Sequence, residues 1–110
     1  MAPLIQSLFS ALSGIRASLR RHEVSAHNVA NLNTPGFRSA RVEQAEGRFG
    51  GTDIVSISPE ARALSGGGEP SDVDLAAEIA NQILALRSLQ ANVAVLRTSD
   101  EMSEDLLDAL

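Results

Sequence analysis

Apolar residues recur at helical spacing in two long stretches of the sequence, one near each end of the chain. Steps of three and four residues begin at Leu4 in the first stretch and at Leu75 in the second, which predicts amphipathic helices over about residues 3–33 and 72–110. At about 1.5 Å per residue these helices are roughly 45 and 57 Å long. A compact chain of about 100 residues has a radius of gyration near 13 Å. The helices therefore do not fit a compact ball, and an antiparallel pair is the economical arrangement.

The middle of the chain differs in character from both helices. "FRSARVEQ" and "TDIVSIS" alternate apolar and polar residues on either side of a glycine-rich break, which predicts a short β-hairpin. The following "PEARALSGGGEPS" predicts a flexible linker. We therefore predict a mainly α chain, in which an antiparallel, coiled-coil-like pair of terminal helices carries a small hairpin insertion. Its four segments are residues 1–36 (first helix and turn), 37–58 (hairpin), 59–71 (linker) and 72–110 (second helix).

A turn motif of Asn33, Thr34, Pro35 and Gly36 follows the first helix. Pro35 cannot continue the helical hydrogen-bond ladder, and a Pro-Gly pair suits the central positions of a type II turn. Asn33 is a candidate left-handed C-cap. We predict that the helix stops here and that the chain changes direction.

The second helix has its own start signal. Ser71 and Asp74 are three residues apart, the spacing of a capping box. Acidic residues at Asp72, Asp74 and Glu78 suit the positive end of the helix dipole. We predict that the helix begins near Asp72.

The main apolar stripes of the two helices are predicted to form the seam of the pair. The seam residues are Leu8, Leu12, Ile15, Leu19, Ile79, Ile83, Leu86, Leu89 and Val93. Further apolar residues, among them Leu84 and Val95, lie on a second face of the second helix. Single exposed aliphatic residues are normal on protein surfaces. Because these residues cluster, and because the chain is too small to fold back over them, we favour intermolecular contacts.

The composition argues against several kinds of site. There is no cysteine, so neither a disulfide framework nor a thiolate metal site is available. His22 and His27 are about 140° apart around a helix and do not share a metal-binding face. The glycines at residues 66–68 lack the Lys and Ser/Thr of a phosphate-binding loop. We predict no catalytic, metal or cofactor site, and no enzyme activity.

Charge is unevenly distributed around the net value of −5. Residues 1–42 carry five arginines and one acid, and the remainder carries four arginines and thirteen acids, so the two parts attract each other. The arginines are few and have no interleaved aromatic residues, so nucleic-acid binding is not predicted. No apolar run approaches the roughly 20 residues that cross a bilayer, and no secretory signal is evident before Arg16. We expect another route if the protein leaves the cytoplasm.

Residues 11–43, "ALSGIRASLRRHEVSAHNVANLNTPGFRSARVE", resemble the N-terminal signature of the bacterial flagellar axial proteins, the rod, hook and hook-associated subunits. The core "NVANLNTPGF" corresponds to that family's Asn-Ile-Ala-Asn-x-x-Thr-Pro-Gly-Tyr motif, with Phe37 in place of the commoner Tyr. Residues 73–110 are similar to the family's C-terminal segment, although Leu89 stands where an aromatic residue is usual. The matching residues there are Asn81, Arg87, Gln90, Ala91, Asn92, Thr98, Asp100, Glu101 and Met102.

The resemblance implies a paired-helix domain built from both termini and stacked around the axial channel of the flagellum. Its implied partners are other flagellar rod subunits, copies of itself and the flagellar type III export apparatus, with no cleaved signal peptide and no membrane insertion. The short middle, residues 38–71, leaves no room for the large outer domains of hook or distal-rod subunits. We therefore expect a proximal-rod protein of the periplasmic basal body, or a shortened paralogue of one.

On this interpretation a specific set of residues faces other subunits. The set is Asn28, Asn31, Leu84, Arg87 and Val95. The alternative from another functional class is a soluble helical adaptor or export partner, which would bind the amphipathic helix of another protein through its exposed stripe.

Overall fold

The computed structural model describes residues 2–47, 51–57 and 70–110. Its elements are, in chain order, α1 (Ala2–Ala30), β1 (Val42–Glu46), β2 (Thr52–Ile57) and α2 (Leu75–Asp108). The prediction of a mainly α chain, with two long terminal helices and a small β-containing excursion between them, is confirmed. Most of the predicted flexible linker, residues 59–69, lies outside the described residues.

The two helices pack side by side and run antiparallel. Ser25 of α1 contacts Glu78 of α2, whereas Gly14, earlier in α1, faces Asn92, later in α2. The molecule measures 68 × 25 × 13 Å and has a Cα radius of gyration of 18.5 Å. A compact chain of this length has a radius of gyration near 13 Å, so the elongated shape follows from the lengths of the helices.

α1 ends at Ala30, three residues before the predicted end. The backbone tightens there, because the Asn31 N–H donates to the carbonyls of both His27 and Asn28, at 3.2 and 3.1 Å. Bonds to the third preceding residue are typical of a final 3₁₀-like turn. Asn33 does not have a positive φ, so the prediction that it forms a left-handed C-cap is wrong.

α2 begins at Leu75, and its N-cap is Asp74. The Asp74 carboxylate accepts a hydrogen bond from the Ala77 N–H at 3.2 Å, which satisfies one of the unpaired donors of the first turn. Ser71 does not cap the helix; its Oγ accepts from the Val73 N–H at 3.2 Å. The predicted start near Asp72 is thus three residues before the observed start at Leu75.

The two strands form an antiparallel hairpin. Val42 pairs with Ile57 at the open end and Glu46 with Thr52 near the turn, and a register shift between Glu43 and Gln44 marks a β-bulge. A two-stranded hairpin is marginal by itself. It therefore needs support from the helices.

α1 supplies that support at the hairpin turn. The Thr52 N–H donates to Ser13 Oγ at 2.9 Å. Gly51 lies directly over the helix, since an added Cβ would come within 3.3 Å of the Ser10 Cα. Gly51 also has a φ of +81°, so both its conformation and its close approach favour glycine.

The buried apolar residues are mostly small. They are Ala11, Ala17, Phe37, Ala40, Val73 and Ala85. Among the side chains that the structure describes, no leucine, isoleucine or methionine is buried. Most of the large aliphatic surface of this chain therefore stays outside the core.

Candidate functional site

The line of closest contact between α1 and α2 consists of small and polar residues, most of them seven residues apart. They are Ala11, Gly14, Ser18 and Ser25 on α1, and Glu78, Ala85, Asn92 and Ser99 on α2. All except Gly14 and Asn92 are buried. A seven-residue repeat is the pattern of a coiled coil, here with small side chains where leucines are usual. We call these eight residues the small-residue seam.

A fully hydrogen-bonded polar cluster lies near one end of this seam. The Glu78 carboxylate accepts from Ser25 Oγ at 2.6 Å and from Asn28 Nδ2 at 3.0 Å. Asn28 Nδ2 also donates to the Ala40 carbonyl, and the Ala40 N–H donates to Asn28 Oδ1, both at 2.9 Å. We call Ser25, Asn28, Glu78 and the Ala40 backbone the polar cluster. It joins α1, α2 and the segment that enters β1.

One residue of the polar cluster, Asn28, was predicted to lie at a subunit interface. Asn28 is 1% exposed and its amide bonds within the chain, so the prediction that it faces another subunit is wrong. Buried polar groups need such partners because an unpaired one is costly. Asn31 is half-buried, and its amide donates to the His27 carbonyl at 2.9 Å and accepts from Thr34 Oγ1 at 3.1 Å.

The turn motif brings the chain back against the start of α2. The Phe37 N–H donates to the Thr34 carbonyl at 3.1 Å, and Gly36 has a φ of 75°, the geometry of a type II turn. Beyond the turn, the Asp72 N–H donates to the Phe37 carbonyl at 3.2 Å. The Ser39 N–H in turn donates to Asp72 Oδ1 at 2.6 Å. The turn therefore sets where the hairpin leaves the helix pair.

The aliphatic residues predicted for the seam lie beside it instead. Leu19, Ile79, Ile83, Leu86 and Leu89 line one open groove between the helices. Ile83 is 54% exposed and Leu86 52%, and the other predicted residues on this side are exposed or half-buried. We call the nine predicted seam residues the aliphatic face. Its exposure has a simple cause: the partner helix contacts α2 about a quarter turn away from the aliphatic stripe.

α2 carries further apolar residues on the other side of the seam. Leu84 and Val95 are 56% and 42% exposed, and they lie about 20° apart around the helix. Val95 borders a cleft that also includes Thr52 of the hairpin. Arg87, between them in sequence, is exposed. α2 therefore presents apolar surface on both sides of its contact with α1.

Neither histidine belongs to a metal site in the described part of the chain. His22 is exposed beside the aliphatic groove, and His27 packs edge-on against Phe37 at a ring separation of 5.6 Å. Across residues 2–47, 51–57 and 70–110, no three His, Asp or Glu side chains converge on a point where a metal ion could bind. None of the helices described combines the length and apolar character needed to span a bilayer.

Two family models match the ends of the chain that form this helix pair. Residues 8–38 match the model described as flagella basal body rod protein. Residues 65–109 match the model described as flagellar basal body rod FlgEFG protein C-terminal. Together the two matches cover most of the chain and include most of α1, the turn motif and all of α2.

Curated relatives are flagellar hook proteins from several bacteria. The chain is 37% identical over 82 residues to the hook protein FlgE of Treponema pallidum, a match that covers 71% of this chain and 16% of the relative. It is 34% identical over 80 residues to FlgE of Borreliella burgdorferi, covering 71% and 17%. It is 32% identical over 63 residues to FlgE of Helicobacter mustelae, covering 57% and 14%. The matched part is thus about one sixth of each relative's length. Because both family models and these relatives are flagellar rod or hook proteins, the chain belongs to the family of flagellar rod and hook proteins.

Proposed function

We propose that this chain is a structural subunit of the flagellar basal-body rod, in its proximal part. Only residues 31–74 separate α1 from α2, and the hairpin occupies part of that connection. This leaves little room for a large outer domain between the two family segments, whereas the matched segment is only 16% of one hook relative. A short connection favours a subunit that contributes the helical layer and little outside it.

The exposed aliphatic face is the observation that carries this proposal. Burying a leucine or isoleucine completely is worth about 1.5–3 kcal/mol, so covering the exposed half of one such side chain is worth roughly 1 kcal/mol. Leu19, Ile83 and Leu86 are each about half exposed, and the groove between them is continuous. Packing against neighbouring subunits would add that stabilisation for each residue covered.

The proposed partners are other rod subunits and copies of this chain. The proposed route to the periplasmic rod is the flagellar type III export apparatus. Both proposals are supported by the family to which the chain belongs. Because the helix pair buries few large side chains, we also expect the free chain to be partly disordered before assembly.

The test replaces Ile83 and Leu86, two exposed residues of the aliphatic face, by glutamate in the cell of origin. Charges on this apolar surface should block incorporation into basal bodies and abolish motility, while expression and export stay normal. The matched control is Gln44→Glu with Ala45→Glu, since both residues are exposed on the hairpin strand β1 rather than on the helices and the substitutions add the same two carboxylates. Normal motility in the Ile83/Leu86 variant would contradict the proposed interface.

A soluble helical adaptor is the alternative function, and the open aliphatic groove favours it because partner helices bind in such grooves. Purified basal bodies separate the two functions. A rod subunit remains in them after detergent and salt washing. An adaptor is instead recovered with its client in the cytoplasmic fraction.

A further inference from the structure

The end of α2 carries a run of exposed acidic residues. They are Asp100, Glu101, Glu104, Asp105 and Asp108, all of them exposed. The part of α1 that runs beside this end, residues 2–6, contains no charged residue. In the described part of the chain, none of the five acids takes part in an ion pair. Their charge is therefore available to another molecule.

The same end of α2 is also apolar on one side. Met102 and Leu106 are 52% and 53% exposed, and Leu107 is 69% exposed. The segment from Asp100 to Asp108 is thus a short amphipathic helix end, with carboxylates on one side and large aliphatic residues on the other. We call it the acidic end.

The aliphatic face is bordered by arginines. Arg16 lies about 40° around α1 from Leu12, and Arg97 lines the same cleft as Leu89. Arg20 also lies on the outer side of α1 and makes an exposed ion pair with Glu23 at 2.9 Å. Arg16 and Arg97 make no ion pair with any residue that the structure describes.

These arginines are spaced to suit the acidic end. From the pairing of Gly14 with Asn92, the levels of Arg97 and Arg16 along the helix pair differ by roughly 11 Å at 1.5 Å per residue. The acids from Glu101 to Asp108 extend over roughly 11 Å by the same measure. Basic groups and exposed aliphatic residues on one surface therefore complement acids and exposed aliphatic residues on the other.

We propose that the acidic end of one copy docks on the arginine-bordered aliphatic face of a second copy. The contact joins different surfaces of the two molecules, so each copy keeps one free face and one free end, and copies add head to tail. The charges select the partner and its direction, and the aliphatic residues supply the buried area. This inference rests on the proposed function as a self-assembling subunit and names the surfaces that meet.

Charge reversal on each surface separately tests the contact. One variant carries Arg16→Glu, Arg20→Glu and Arg97→Glu; the other carries Glu101→Arg, Glu104→Arg and Asp108→Arg. Each variant alone opposes like charges, so self-association measured by sedimentation velocity at low salt should weaken at least about tenfold. An equimolar mixture restores opposite charges at every contact and should associate like the original chain. The control, with lysine at the three arginine positions, keeps the charge and should also associate.

Three outcomes would overturn the docking contact: an original chain that stays monomeric at low salt, a reversed variant that associates normally, or a mixture that stays monomeric. Far-UV circular dichroism shows whether each variant keeps the helical content of the original chain. The presence of the original chain in purified basal bodies is scored separately. If it is present there but the mixture does not associate, the docking contact fails and the rod function stands.

Discussion

A methyl group added at Gly14 tests the small-residue seam directly. The Cβ of Gly14→Ala would lie 2.8 Å from Asn92 Cγ and 2.9 Å from Asn92 Oδ1, closer than non-bonded atoms tolerate. Asn92 Nδ2 donates to the Ser88 carbonyl at 3.0 Å, so moving the amide away also breaks that bond. Overpacking costs about 1–3 kcal/mol and the lost hydrogen bond about 1 kcal/mol. Alanine in place of glycine gains about 1 kcal/mol in a helix.

The balance of these contributions predicts that Gly14→Ala lowers the free energy of unfolding by about 1–3 kcal/mol. The effect of Gly14→Ala on the free energy of unfolding should change sign when Asn92 is replaced by alanine. In an Asn92→Ala background the amide is gone, so Gly14→Ala contributes its helix propensity alone and should raise the free energy of unfolding by about 1 kcal/mol. A change of 1 kcal/mol alters the ratio of folded to unfolded chains about fivefold.

Urea unfolding followed by far-UV circular dichroism measures all four members of this cycle. Ser88 keeps its backbone carbonyl in every member, so a shift between backgrounds reports on the contact between residues 14 and 92. If Gly14→Ala stabilises the original chain as much as the Asn92→Ala chain, the helices do not approach closely there. The small-residue seam would then be wrong.

Three further substitutions test the other local contacts. Asn28→Ala leaves partners of its amide buried and unpaired and should lower the free energy of unfolding by about 3 kcal/mol. Asn31→Ala should lower it by under about 1 kcal/mol. Equal effects of the two substitutions in urea unfolding would count against the polar cluster. Gly36→Ala puts a side chain at a φ of 75° and should lower the free energy of unfolding by about 1–2 kcal/mol. No loss of stability would show that the turn is not type II. Asp74→Ala should cost about 1 kcal/mol, and a larger effect of Ser71→Ala would show that the cap is misassigned.

Local chemistry explains why the elements themselves were predictable from the sequence. The pyrrolidine ring of Pro35 and the left-handed preference of Gly36 act within four residues of chain. Helical periodicity likewise needs only the order of residues. The helix ends were displaced by up to three residues because capping depends on which donor and acceptor groups meet. Asp74 reaches the Ala77 N–H, whereas Ser71 bonds to Val73.

The seam was not predictable from the same periodicity. The aliphatic stripe shows which side of a helix avoids water, but it does not show which molecule covers that side. The partner helix lies instead on small residues such as Ala85, where the backbones can approach closely. The seam could have been found from the seven-residue spacing of Glu78, Ala85, Asn92 and Ser99. This repeat consists of small and polar residues rather than large apolar ones.

The role of Asn28 was hidden for a related reason. An amide can bond equally well within the chain or to a neighbour, and the sequence near Asn28 does not show that Ala40 returns to it. Only the turn between them, and the arrival of Glu78 from the other helix, settle the question. Long-range contacts of this kind depend on the completed fold.

In the assembled structure, we expect neighbouring molecules to cover the aliphatic face. The sequence contains no cysteine, so single Leu19→Cys, Ile83→Cys and Leu86→Cys variants, with Ala45→Cys on the hairpin strand β1 as an exposed control, give an unambiguous maleimide-labelling signal. We expect fast labelling of all four in the free chain, and strong protection of the first three, relative to residue 45, in purified basal bodies. Equal labelling rates of the three aliphatic positions in the free chain and in basal bodies would contradict this expectation.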